Sequence, residues 1–188
     1  MTATDSTLER AVGVLDGLPE GETRSHLLAC CGCRRWADDL VASRPFASVE
    51  ALVDRAVDLW RSLERDEILE AFAAHPDIGD RSVKPSAGRQ GWSAQEQSGA
   101  AASDDQVQEG LALANRAYAE RFGYRFIVCA TGKSGREMLE ILERRLANDP
   151  ATELPVAAAE QEAILRLRLA KLLEELASLP DLSPETSP

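Results

Sequence analysis

Residues 103–123 read SDDQVQEGLALANRAYAERFG, and the fold class turns on that stretch. Val107, Leu111, Ala114, Tyr118 and Phe122 recur at intervals of three and four, so a helix carries them all on one side. Ser103 opens the pattern, and Gly123 stands where a helix stops on a left-handed residue. Toward the C-terminus, Phe126-Ile127-Val128-Cys129-Ala130 is an apolar run too short for a helix and bounded by turn signals. It reads as a buried extended segment, and no second run resembles a strand that would pair with it. Ser134-Gly135-Arg136-Glu137 has capping-box form ahead of Met138, Ile141, Leu142 and Leu146. A last long helix is expected from about Pro150 to Ala177, carrying Ile164, Leu167, Leu172 and Leu176.

Toward the N-terminus the same spacing recurs in shorter pieces. Leu27, Leu28, Cys31, Trp36, Leu40 and Val41 predict two short helices broken around Gly32 and ending at Arg44-Pro45-Phe46. Ser48 can cap a helix bearing Leu52, Ala56, Leu59, Trp60 and Leu63. Asp66 can cap another, with Ile68, Leu69, Ala71 and Phe72, which Pro76 stops because its ring disfavours the α conformation in the preceding residue, His75. From Asp77 to Gly91 the chain is polar and glycine-rich, a loop that runs until Trp92-Ser93 opens the next helix. The expectation is an all-α, single-domain bundle of seven to nine helices with one short extended segment, spanning residues 7–178. Residues 1–6 and 180–188 are expected as flexible tails.

Composition narrows the function classes. The chain has 188 residues, enough for one core that buries about 70% of the unfolded surface. Its 21 Lys and Arg against 32 Asp and Glu give a net charge of -11, which argues against nucleic acid as a partner. An apolar run of membrane-spanning length and the basic, hydrophobic start of a secretory signal are both lacking, so no membrane partner is expected. Cys30, Cys31 and Cys33 cluster while Cys129 stands alone, a spacing unlike a disulfide framework and in keeping with a reducing cytoplasm. With only His26 and His75 to complete a ligand set, no metal is expected.

Three features carry chemistry, each with a plainer alternative. A histidine can titrate near neutral pH, and His75 is expected at the negative end of a helix, so it can hold or donate a proton, or it can simply cap the last carbonyls. Ser93-Ala94-Gln95-Glu96-Gln97 would present Ser, Glu and Gln together on one turn beside the loop after His75, but Ser93 and Glu96 also have the spacing of a capping box. Arg168, flanked by Leu167 and Leu169, could clamp a planar anion bidentately, or extend its stem over a solvated face. Gly132-Lys133-Ser134 is not a phosphate loop, because that motif needs glycine where Ile127 stands.

Six elements in order, Cys31-Gly32 with Trp36, Arg44-Pro45-Phe46, His75-Pro76-Asp77-Ile78-Gly79, Ser93 with Glu96-Gln97, Phe122-Gly123 with Phe126 to Ala130, and Ile164 with Leu167-Arg168-Leu169, resemble the OHCU decarboxylase family over roughly residues 10 to 178. That family's enzymes are cofactor-free and act on 2-oxo-4-hydroxy-4-carboxy-5-ureidoimidazoline, the last intermediate between urate and allantoin. The resemblance implies His75 as catalytic acid/base with Glu96 beside it. It implies a substrate site lined by Pro76, Ser93, Gln97, Phe126, Ile127, Val128, Cys129, Ala130 and Arg168, with no cofactor and no metal. It also implies a helical homodimer, a small anionic substrate, and uricase and 5-hydroxyisourate hydrolase as pathway neighbours. The family commonly has proline before the Phe of its extended segment, where this chain has Arg125. A non-catalytic helical interaction module, or a decarboxylase of a related ureido acid, would be the alternatives; the presence of His75, Glu96 and Arg168 together argues against the first.

Overall fold

Ten helical segments make up the computed structural model, which describes residues 3–79, 92–101 and 103–179. They are α1 (Ala3–Gly17), α2 (Glu20–Cys31), α3 (Arg34–Ala42), α4 (Val49–Arg61), α5 (Arg65–Ala73), α6 (Trp92–Glu96), α7 (Ser98–Ala101), α8 (Asp105–Phe122), α9 (Gly135–Arg145) and α10 (Pro150–Ala177). Only Gln97 separates α6 from α7, so the two read as one broken helix and the count becomes nine. Residues 125–130 are non-helical and pair with no strand among the described residues, which makes the fold all-α as expected.

Local chemistry explains most boundaries. Ser48 Oγ accepts from Ala51 N at 3.1 Å, and Ser134 with Glu137 closes a reciprocal capping box on α9. Asp149 caps α10 and Pro150 occupies its first turn, where a missing N–H leaves no hydrogen bond unmade. Gly123 ends α8 at φ 78°. Two caps differ from expectation. Glu64, not Asp66, caps α5 through a reciprocal box with Glu67, and Asp104 rather than Ser103 accepts from Val107 N at 2.9 Å. In both cases the adjacent carboxylate has the third N–H of the helix within reach. Helix α1 is the larger difference: it starts at Ala3, so residues 3–6, expected in a loose tail, have helical backbone. Residues 180–188, expected as a tail, and 80–91, expected as most of a loop, lie outside the described residues.

The helices enclose two apolar clusters. One gathers α1 to α5 and the C-terminal part of α10 around Trp36, Leu27, Leu40, Leu52 and Leu165; the other gathers α8, α9 and the 126–130 segment around Tyr118, Phe126, Leu111 and Met138. A buried ion pair joins them: Arg145 from α9 donates from Nε to Glu153 Oε1 of α10 at 2.7 Å and from Nη1 to the Ile127 carbonyl at 2.7 Å. Its guanidinium lies 4.7 Å from the Phe126 ring centroid. This side chain fixes the non-helical segment against the ends of α9 and α10.

Gly32 positions the other side of the seam. It closes α2 at φ 79°, and a Cβ there would lie 2.4 Å from the Ala74 Cβ. Only glycine lets the α2–α3 turn press so closely on the last turn of α5, the turn that leads into His75.

Candidate active site

Helix α5 ends at Ala73, the His75 N–H still bonds back to the Phe72 carbonyl at 3.1 Å, and Pro76 then prevents another turn. The loop that follows is tied down twice. Asn115 Nδ2 of α8 donates to the Ile78 carbonyl at 2.9 Å, and the Gly79 N–H donates to Gln97 Oε1 at 3.2 Å. His75 is thereby held between the two clusters, only 7% exposed, at the wall of a pocket of about 380 Å³ including its mouth.

Burial is the largest influence on this imidazole and Arg168 the next; together they push its pKa down to about 4, against the opposing pull of Glu96 and Gln161. His75 is therefore neutral at pH 7. The helix C-terminus would favour the protonated ring, but a dipole end is worth about 0.3 to 1 kcal/mol at an exposed site, less than the cost of charging a buried ring.

Glu96 faces it from α6. Arg168 Nε and Nη2 donate to its two oxygens at 3.2 and 2.8 Å, and Lys171 Nζ donates to Oε1 at 3.1 Å. Burial acts to raise the Glu96 pKa, but the hydrogen bond and charge of Arg168 and the charge of Lys171 outweigh it and hold the carboxyl below the usual range. Glu96 thus stays ionised, and its oxygens turn to α10. Arg168 also donates from Nη1 to the Ala29 carbonyl of α2 at 3.3 Å. The bidentate fork expected to clamp an external anion engages a carboxylate of the protein itself.

The expected residues divide unevenly around the pocket. His75, Pro76, Glu96, Gln97, Phe126, Ile127, Val128, Ala130 and Arg168 all line it. Cys129 does not: its N–H donates to Glu160 Oε2 at 2.8 Å, its carbonyl accepts from Lys133 Nζ at 2.6 Å, and burial raises its thiol pKa. Both bonds engage the Cys129 backbone outside the pocket, which Val128 and Ala130 on either side line. The Ser93 side chain lies outside the described residues. Ile78, Thr131, Ile164 and Leu167 also line the pocket and were not expected there. Ile164 and Leu167 share the α10 face that carries Arg168, a signal the helical spacing contains. Arg125, in place of the family's proline, points to Asp77 at 3.9 Å on an open surface, with its side chain 36% exposed. It is not among the lining residues.

A helical scaffold that brings a neutral imidazole and an ionised carboxylate into one partly enclosed pocket of mixed polar and apolar lining defines a class: an acid–base site of the proton-transfer kind. The profile of OHCU decarboxylase matches residues 16–170, and the chain belongs to that family. It is 39% identical over 154 residues to the uric acid degradation bifunctional protein of Arabidopsis thaliana, covering 80% of this chain and 47% of that one. To the 2-oxo-4-hydroxy-4-carboxy-5-ureidoimidazoline decarboxylase of Haloferax volcanii it is 31% identical over 130 residues, 69% of this chain and 76% of that one. A crystal structure of OHCU decarboxylase in the presence of (S)-allantoin superposes with a TM-score of 0.68 at 39% identity, covering 78% of this chain and 96% of that one. The chain spans about half the length of the bifunctional Arabidopsis relative, and 28% of the bifunctional protein of Bacillus subtilis.

Proposed function

We propose that this chain decarboxylates 2-oxo-4-hydroxy-4-carboxy-5-ureidoimidazoline to (S)-allantoin, with His75 as the acid/base. The observation that carries the reading is the neutral His75 beside an ionised Glu96 in the pocket of a member of this family. The neutral ring starts as a base and takes the proton of the substrate 4-hydroxyl. The bond from C4 to the carboxylate then breaks; its electron pair forms a C4–C5 double bond as the adjacent C–N π pair moves onto nitrogen, and carbon dioxide leaves. Collapse of the hydroxyl oxygen to a carbonyl with proton delivery to C5 from the imidazolium, and uptake of one proton from solvent by the ring nitrogen that received the π pair, completes one allantoin and one carbon dioxide per substrate. Glu96 stabilises the imidazolium in between, which is the direction in which its charge acts on His75. Electrons need no sink beyond the ring's own C–N system, so the residues form a sufficient set without a cofactor.

In this reading Arg168 and backbone N–H groups of the 126–130 segment hold the ring and ureido oxygens, with Pro76, Gln97, Phe126 and Val128 shaping the walls and Ser93 at their edge. Arg168 would share its guanidinium between Glu96 and the substrate. The chain would act after uricase and 5-hydroxyisourate hydrolase as a cytoplasmic homodimer, in keeping with a cysteine spacing unlike a disulfide framework. Urate supplied with those two enzymes, followed by circular dichroism, tests this: (S)-allantoin should appear faster with this chain than without it, and the gain should vanish with His75→Ala. Equal rates with and without the wild-type chain would refute the activity.

A further inference from the structure

Gln161 lies on α10 one turn before Ile164 and two before Arg168, on the helix face that forms the pocket wall. It is completely buried, yet neither its Oε1 nor its Nε2 has a hydrogen-bond partner. Among the described residues that line the pocket, Nε2 of His75 is the polar atom in the same condition, also sealed from solvent and unpartnered. A buried primary amide whose hydrogen-bonding atoms all go unpaired is costly, and an apolar side chain of similar size would pack there without that cost. The two sealed groups are close enough for Gln161 to act on the ring, and it acts in the direction that favours protonation.

We infer that Gln161 is a positioning residue for His75: its Oε1 accepts from Nε2–H and so fixes the tautomer whose free lone pair, on Nδ1, is turned to the substrate. The inference rests on the proposed role of His75 as base. An amide suits the task because Oε1 accepts equally from the neutral ring and from the imidazolium, so the same contact survives both halves of the proton transfer. A carboxylate at this position would hold the proton on the ring, and a leucine would let the ring turn or adopt the other tautomer. A wrong tautomer places an N–H where the base must be.

Three substitutions separate this role from packing. Gln161→Leu removes the acceptor at nearly constant volume; it should melt at or above the wild-type temperature while kcat/KM falls ~100-fold with KM little changed, the loss typical of a misplaced reacting group. Gln161→Glu should raise the His75 pKa and move the acid limb of kcat/KM to higher pH, whereas Gln161→Leu should move both lower. Gln161→Met serves the same end if the leucine variant does not fold. The His75 ring protons, assigned by their loss in His75→Ala, are titrated by NMR without substrate, so this readout stands whether or not the chain turns over the proposed substrate. Unchanged His75 titration in both the leucine or methionine and the glutamate variants would overturn the inference even in an active enzyme. Shifted titration in an inactive one would leave it standing and count against the decarboxylase reading alone.

Discussion

Removing the Arg145 side chain is the sharpest test of how the pocket wall is held. Glu153 is 0% exposed and Arg145 5%, so Arg145→Met would leave a carboxylate in the core with Asn148 and Tyr118 as its hydrogen-bonding neighbours. The change deletes the bonds to Glu153, the 2.7 Å bond to the Ile127 carbonyl, the 3.3 Å bond to the Tyr118 hydroxyl and the stacking on Phe126. Breaking a buried pair by deleting one partner costs about 3 to 5 kcal/mol, chiefly because the other charge stays behind. At about 2 to 4 °C per kcal/mol for a chain of this size, the midpoint of thermal unfolding should fall by roughly 6 to 20 °C. Urea unfolding followed by circular dichroism measures the loss directly. The double variant Arg145→Met/Glu153→Leu should recover most of it, since no charge is then stranded. A loss below about 1 kcal/mol in the single variant, or a double variant no better than the single, would refute the reasoning.

Further outcomes follow from the same geometry. His75 has a folded pKa of about 4 against an ordinary 6.5, so between those values the unfolded chain binds the proton and the folded one does not. Stability should therefore rise with pH across that window by about 3 kcal/mol, and urea titrations of wild type and His75→Phe should diverge there and run parallel above pH 7. For the same reason kcat/KM should hold down to about pH 4 to 5 as far as His75 is concerned; an acid limb at 6.5 that disappears in no variant but His75 would contradict a buried neutral ring. Glu96→Gln should cut kcat/KM on the order of 10²- to 10⁴-fold and lower the His75 pKa further, read by NMR titration, because Glu96 is one of the groups that raise it. Gly32→Ala forces both a positive φ and a 2.4 Å contact with Ala74, so it should destabilise by more than the ~1 to 2 kcal/mol of the left-handed backbone alone; unchanged melting would show that the α2–α3 turn does not press on α5.

Periodicity and punctuation account for what the sequence reveals. The α8 stripe, the break at Gly32, the Ser48 and Ser134 caps and the α10 span from Pro150 to Ala177 are local signals, and each lies where its residues put it. Helix α1 escaped because its buried side chains, Ala11, Val12 and Leu15, make a short stripe that only packing against α10 turns into a helix face. At the site, residue types were legible and pairings were not. Nothing in the local pattern joins Glu96 to Arg168 across 72 positions, or orders Cys129 toward Glu160 rather than the pocket. Gln161 was the readable omission: a polar residue three before Ile164 and seven before Arg168, on the face that carries both.

The pairing of Glu96 with Arg168 and Lys171 also resolves a tension in the charge. A chain of net charge -11 should repel an anion at long range, yet among the described residues the hydrogen-bonded set around Glu96 is two cations against one carboxylate. Beyond a Debye length of about 8 Å at physiological salt the acidic surface is screened, so the local set decides binding once the anion is near. Lys171 is what tips the balance. Without it the Arg168–Glu96 pair would be neutral, and the fork that Arg168 offers would have nothing left over for a second anion. With it, on the proposed function, Glu96 stays ionised beside Arg168 to steady an imidazolium while positive charge is left over for the substrate. The same excess lowers the pKa of His75 through Arg168, keeping the ring neutral and ready to act as a base. On the proposed function, anion binding and the protonation state of His75 would both depend on this one cluster, and a change that relieves one would disturb the other.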